Sequence, residues 1–148
     1  MRSMINTNQQ DTTSPSASGY DLLRHDLLPE LLGEDEEKIL YWAGKALARK
    51  KIKENEKIET THFFHNAHWG SLQPVKEKKN ERIYEVVAPH MSNDRPFSLE
   101  AGFLAQIVEI EKGVIAESYY EVKKKKPFTV QITVRWDRKD PSPLTKNE

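Results

Sequence analysis

Phe128-Thr129-Val130-Gln131-Ile132-Thr133-Val134-Arg135-Trp136 decides the fold. Apolar side chains fall on every second position with polar ones between them, the period of a strand with one face in a core and the other in water. The segment before it has the same pattern: Val114, Ala116, Ser118, Tyr120 and Val122 alternate with Ile115, Glu117, Tyr119 and Glu121. Together they form an antiparallel hairpin. For the two core faces to coincide, Val122 is expected opposite Phe128, with an odd-length loop centred on Lys125, because a one-residue slip turns a strand inside out.

Upstream, Ser98 is expected to cap a helix running to about Ile110 and closed by Gly113. Only Glu100, Gln106 and Glu109 are polar in it, which marks a central, buried helix. Arg82–Ala88 is a second β-rich run, Lys79-Asn80 a turn, and Leu72–Val75 an edge strand because it contains Pro74. Pro89–Pro96 reads as loop. Before Ser71 the period is helical. Glu34-Asp35-Glu36-Glu37 and Arg49-Lys50-Lys51 sit at opposite ends of one helix, matching its macrodipole. Its apolar stripe is Ile39, Leu40, Ala43, Ala46 and Leu47, with Trp42 on one edge. Lys51–Glu59 is a charged connector, and Thr60 or Thr61 caps a short helix that buries Phe63, Phe64 and Ala67 and stops at Gly70. At the start, Ser18-Gly19-Tyr20-Asp21 is a capping-box variant, Pro29 bends or restarts the first helix, and Gly33 ends it. Helices first and antiparallel strands later give an α+β fold, with helices packed on a twisted antiparallel sheet of about four strands.

The chain has 148 residues, 36% apolar and 31% charged. That suits one domain, taken as 19–138, between disordered tails at 1–18 and 139–148. Lys+Arg and Asp+Glu both number 23, so no basic excess points to nucleic acid or an anionic membrane. The absence of cysteine excludes a disulfide scaffold, a thiolate metal site and a cysteine nucleophile, and fits a reducing cytoplasm. The N-terminal residues lack the apolar run of a secretory signal. The most apolar stretch, Ala101–Ile110, is far below the ~20 residues that span a bilayer. A cytoplasmic protein is expected.

Candidate chemistry is sparse. His62, His65 and His68 are spaced three apart, but the outer two diverge around the helix and no carboxylate accompanies them, so a wet face is expected and no metal. Lys123–Lys126 reads as a solvated hairpin tip rather than a nucleic-acid site. Glu117, Glu121 and Arg135 share a polar strand face, and Glu100 heads the buried helix. Acid–base chemistry through Glu100 or Glu117 is the least favoured reading. Ser118 lacks a nucleophile elbow, and no Gly-rich loop cradles phosphate. No catalytic residue and no cofactor is expected. Gly102 costs a helix about 1 kcal/mol relative to alanine and needs a reason. Close packing is one. The other is room for an apolar ligand in a pocket of Gly102, Ala105, Phe103, Ile107, Val130, Ile132 and Trp136. Tyr41 and Trp42, with Lys45 and Arg49 as a charged rim, are expected to form a homodimer interface.

Four blocks carry a family resemblance: LPELLGEDEEKILYWAGKALARK (Leu28–Lys50), FFHNAHWGSL (Phe63–Leu72), FSLEAGFLAQ (Phe97–Gln106) and ESYYEVKKKKPFTVQITVRWD (Glu117–Asp137). Over roughly Tyr20 to Lys139 the chain resembles the YslB family of uncharacterised cytoplasmic proteins from low-GC Gram-positive bacteria. The resemblance implies the fold of a wider superfamily that includes TRAPP transport-particle subunits, vinyl-reductase-like ligand-binding domains and haem–nitric-oxide sensors. Its members often dimerise and often enclose an apolar or cofactor pocket. This chain lacks the cysteines that vinyl-reductase-like domains place near Glu117-Ser118, and its only histidine on the long N-terminal helices, His25, sits among polar residues. Metal and haem functions are therefore not carried over. The expected function is a non-enzymatic binding or adaptor domain for an apolar small molecule, or alternatively a protein-interaction module without a ligand.

Overall fold

Strict alternation at Phe128–Trp136 fixes one face as expected, whereas Thr129 and Thr133 of the face expected in water are buried as well. In the computed structural model, which describes residues 19–55, 57–88 and 95–142, Phe128, Val130, Ile132, Val134 and Trp136 are all buried. Four antiparallel strands form one sheet: β1 (Ser71–Lys78), β2 (Glu81–Val87), β3 (Val114–Lys125) and β4 (Phe128–Pro141), in the order β1-β2-β4-β3. The fold is α+β. Two hairpins lie side by side, and the helix between them, α4 (Ser98–Lys112), packs on β3 and β4. Pro74 lies on β1, an edge strand, next to a register shift between Pro74 and Lys76. That is where a residue without a backbone N–H is tolerated.

The remaining elements are helical. A π-helical turn at Leu22–Leu27 leads into α1 (Leu28–Leu32), where Pro29 sits in the first turn, and a 3₁₀ turn at Gly33–Asp35 follows. α2 spans Glu36–Asn55 and α3 spans Thr60–Asn66. The chain divides into two compact units, Met1–Glu36 and Glu37–Glu148. In the first, Arg24 donates to the Tyr20 hydroxyl and stacks over its ring. The second contains the sheet. The expected tail at 1–18 with its Ser18 cap, and loop residues 89–94, lie outside the described residues.

Several local expectations are corrected. Val122 pairs with Val130, and Phe128 pairs with Lys125. A bulge at Lys123 takes up the extra residue, so the turn shrinks to Lys126-Pro127 while the two core faces still coincide. α2 runs on to Asn55 because the lysines and glutamates of the supposed connector are themselves good helix formers. Its buried face is Leu40, Gly44, Lys45 and Ala48; Ile39, Ala43 and Ala46 are exposed. α3 is capped by Glu59, whose carboxylate accepts from the His62 N–H at 2.8 Å. Strand β4 continues to Pro141, beyond the expected domain end at 138.

Phe103 of α4 anchors an aromatic cluster. It stacks on Phe63 with centroids 4.6 Å apart and meets Trp69 edge-on at 5.4 Å. Gly113 ends α4 in the left-handed conformation at φ 76°, where its N–H returns to the Glu109 carbonyl.

Strand β3 is the other sheet edge, and α2 and α4 cap part of it. The Ala116 N–H donates to Glu109 Oε1 at 3.1 Å, Lys45 Nζ donates to the Ala116 carbonyl at 3.2 Å, and the Ser118 N–H donates to the Tyr41 hydroxyl at 3.1 Å. Further along, Lys123, Lys124 and Lys125 are exposed and oppose pairing with another strand by charge. Replacing these three lysines with threonine is expected to promote concentration-dependent association, seen as rising light scattering, with little change in melting temperature.

Candidate binding site

The space imagined beside Gly102 is filled. A Cβ built on Gly102 would stand 2.0 Å from the Tyr41 carbonyl oxygen, and one on Gly44 would stand 2.1 Å from the Leu99 carbonyl oxygen. The two glycines let α2 and α4 cross backbone against backbone. Of the other expected pocket residues, Ala105, Phe103, Val130 and Ile132 are fully buried, Trp136 is buried and Ile107 half-buried. Trp136 also borders a shallow hollow of about 410 Å³ at the β1–β2 turn, lined by Lys78, Lys79, Asn80, Glu81 and Arg135.

The expected interface is also rearranged. Lys45 is buried against the Ala116 carbonyl and lies 3.9 Å from Glu109. Arg49 donates to Gln106 Oε1 at 2.9 Å, and Tyr41 is half-buried with its hydroxyl on Ser118. Trp42 is 59% exposed, and Arg49 is exposed as well. Three of the four residues thus tie α2 to α4 and β3 rather than forming a charged rim.

Where these elements meet, an open groove of about 480 Å³ runs between α2, the start of α4 and β3. α2 supplies Glu37, Lys38, Tyr41 and Trp42, spaced so that one helix face carries them. α4 supplies Ser98 and Ala101, and β3 supplies Ser118, Tyr119 and Tyr120. Four of these nine are aromatic, and Trp42 and Tyr119 are 59% and 49% exposed. Small-molecule sites typically occupy roughly 300–1,000 Å³, with apolar and aromatic walls and a few placed polar groups. This groove fits that description; the hollow at the β1–β2 turn is lined mainly by charged side chains.

The polar groups of the groove are tightly specified. Tyr120 donates to Glu37 Oε2 at 2.6 Å, and Ser118 Oγ donates to the Ala101 carbonyl at 2.6 Å. Burial pushes the Tyr41 phenol up, against the opposing hydrogen bonds from Ser118, so it is protonated at neutral pH. Burial and the hydrogen bond to Glu37 raise Tyr120 as well. Lys45 Nζ lies 5.6 Å from both the Tyr41 and the Trp42 ring centroids, placing a cation against the aromatic wall.

The carboxylates weighed for chemistry lie elsewhere. Glu100 is 0% exposed and paired with Arg95 at 2.9 Å. Glu117 is exposed and pairs in register with Arg135. His62, His65 and His68 are exposed, and His62 Nε2 lies 2.9 Å from Asn66 Nδ2. No group of three or more metal-ligating side chains occurs among the described residues. Likewise, no helix among them is long and apolar enough to cross a membrane.

Sequence reasoning found the groove residues Tyr41 and Trp42 but assigned them to an interface, and it missed Ser98, Ser118 and Tyr119 as a set. The signal available was Ser98 and Ala101 near Gly102, a run of small residues on an otherwise bulky helix.

A family model described as "Protein of unknown function (DUF2507)" matches residues 17–135. The chain is 43% identical over 132 residues to the uncharacterized protein YslB of Bacillus subtilis (strain 168), covering 85% of this chain and 88% of that one. Among solved structures, it is similar to a vinyl-4-reductase family protein from Methanocaldococcus jannaschii, with a TM-score of 0.49 and 17% identity over 93% of this chain and 98% of that one. It is also similar to the IWP-051-bound H-NOX from Shewanella woodyi, with a TM-score of 0.41 and 11% identity over 93% of each chain.

Proposed function

The chain belongs to the DUF2507 family and resembles YslB over most of its length, and from that premise we propose that its Glu37–Glu148 unit binds a small molecule and performs no chemistry on it. The observation that carries this reading is the aromatic groove between α2, α4 and β3. Trp42, 59% exposed and edge-on to Tyr41 with ring centroids 5.8 Å apart, is costly surface to leave in water, and it becomes useful when a flat apolar body covers it. The non-catalytic part draws on the side chains around it. Ser118 gives its hydroxyl to a backbone carbonyl, Glu37 accepts from Tyr120, and Glu100 is sealed against Arg95. None of these is paired as nucleophile and base.

The test uses the full chain and the fluorescent probe 1-anilinonaphthalene-8-sulfonate. The probe is expected to bind with energy transfer from tryptophan, and Trp42→Ala to weaken binding about tenfold or more, roughly 1.4 kcal/mol, at an unchanged melting temperature. Trp69 and Trp136 are buried, so the variant removes the one exposed tryptophan among the described residues. Equal binding by parent and variant would remove the groove as the site. A protein-interaction module without ligand would instead leave the probe unbound while Trp42→Ala disrupted a protein complex.

A further inference from the structure

The Met1–Glu36 unit carries apolar surface that its own helix does not need. Leu22, Leu23, Leu27 and Leu31 are each between 41% and 69% exposed. Lysine or glutamate suits a helix about as well as leucine does, so local structure gives no reason for leucine at all four. Single exposed leucines are ordinary, but a contiguous group marks a contact surface. The π-helical turn at Leu22–Leu27 makes the group contiguous. At about 100° per residue an unbroken α-helix would put Leu22 and Leu31 on opposite sides. In a π turn residues five apart stack instead, so Leu22 aligns with Leu27. Leu31 follows in the same row, four residues on in α1, and Leu23 stands beside it. Tyr20, Arg24, Leu28 and Leu32 fall on the other side, Arg24 buried and the rest half-buried.

The rim of this face is acidic. Asp26 and Glu30 border the leucine row beside Leu22, and Glu34 and Asp35 lie beyond its end, all four exposed. Arg24 is the one lysine or arginine among the described residues of the unit, and it is buried and turned to the Tyr20 hydroxyl. We propose that the leucine face docks another protein, and that the partner meets it with an amphipathic helix whose apolar stripe is flanked by lysine or arginine. Leucines at positions 22, 27 and 31 form a ridge that fits between the side-chain rows of a facing helix. The acidic rim selects the partner's charge. A second copy meeting the same face would set Asp26 and Glu30 against their own counterparts, and an anionic membrane would repel them. Lysine or arginine flanking the partner's stripe attracts them instead. None of these residues lines the aromatic groove, so the two readings stand or fall separately.

Two amphipathic helical peptides with one leucine pattern test this, the first with lysine and the second with glutamate at every polar position, each titrated into the full chain. The Leu–Lys peptide is expected to bind about tenfold or more tightly than the Leu–Glu peptide, a preference that shrinks as salt rises. Leu27→Gln combined with Leu31→Gln should weaken Leu–Lys binding about tenfold or more without lowering the melting temperature, since both side chains are exposed. Asp26→Asn combined with Glu30→Gln should bring the two peptides' affinities together. Undiminished Leu–Lys binding by the double leucine variant would overturn the proposal, as would failure of that peptide to bind the parent. Two other results would overturn it by naming a different occupant. A parent dimer in sedimentation equilibrium that the leucine variant dissolves would point to a second copy. Flotation of the parent but not the variant with phosphatidylcholine–phosphatidylglycerol vesicles would point to a membrane.

Discussion

Gly102→Leu is expected to unfold the Glu37–Glu148 unit or to leave it barely stable, and Gly44→Leu to do the same. A Cβ on Gly102 would lie 2.0 Å from the Tyr41 carbonyl oxygen and 2.9 Å from its carbon. On Gly44 it would lie 2.1 Å from the Leu99 carbonyl oxygen and 2.8 Å from the Phe103 nitrogen. All four neighbours are backbone, so no rotamer change relieves the clash and the helices must move apart. Separation strips contacts from Leu40 and Ala48 and pulls Lys45 and Tyr41 off the β3 edge they cap. The cost should reach about 3 kcal/mol or more, at or beyond the upper end for overpacked cores. Urea unfolding of each variant measures it, with Gly19→Ala as the control, since nothing lies within 4 Å of a Cβ there. A Gly102→Leu protein with the parent's midpoint would mean that space exists beneath α4 after all, and would restore the pocket of Ala105, Ile107, Val130 and Ile132.

Much of the fold was legible because it depends on period. The core face of β4, the edge position announced by Pro74 and the glycine stop at Gly113 are local signals, and each is present in the structure. Register was less legible. A bulge at Lys123 preserves the faces while changing the partners, and the face pattern alone constrains only parity. The site was least legible, because it depends on which helix crosses which. Gly102 is anomalous within its helix, but a glycine gives the same signal whether a ligand or a backbone approaches it. Its counterpart Gly44 lies 58 positions away, and only the crossing pairs the two. The same crossing buries Lys45 and brings the exposed Arg49 within reach of α4. Their charge suggested a rim, yet their long apolar stems let the heads reach the Ala116 carbonyl and Gln106.

Glu100→Leu is expected to destabilise the protein by about 3–5 kcal/mol, and pairing it with Arg95→Met to recover most of that loss. Glu100 and Arg95 form an ion pair at 2.9 Å with side chains 0% and 1% exposed, and the guanidinium also lies 4.1 Å from the Phe97 ring centroid. Two charges removed from water stabilise each other only while both remain. Deleting one removes the 2.9 Å ion-pair contact from the other while it stays buried, and the desolvation penalty that contact offset sets the size of the effect. Replacing both with apolar side chains removes the penalty altogether, so the double variant should lie well above the sum of the singles, a positive coupling readable from urea unfolding of the full cycle. If the double variant is as unstable as Glu100→Leu alone, the pair's charge is not what matters, and the hydrogen bond from Arg95 to the Pro96 carbonyl, at 3.3 Å, becomes the better explanation. The pair also holds the first turn of α4, the turn that carries Ser98 and Ala101 to the groove floor. Loss of probe affinity in Glu100→Leu, regained in the double variant, would therefore tie the buried pair to the shape of the groove as well as to stability.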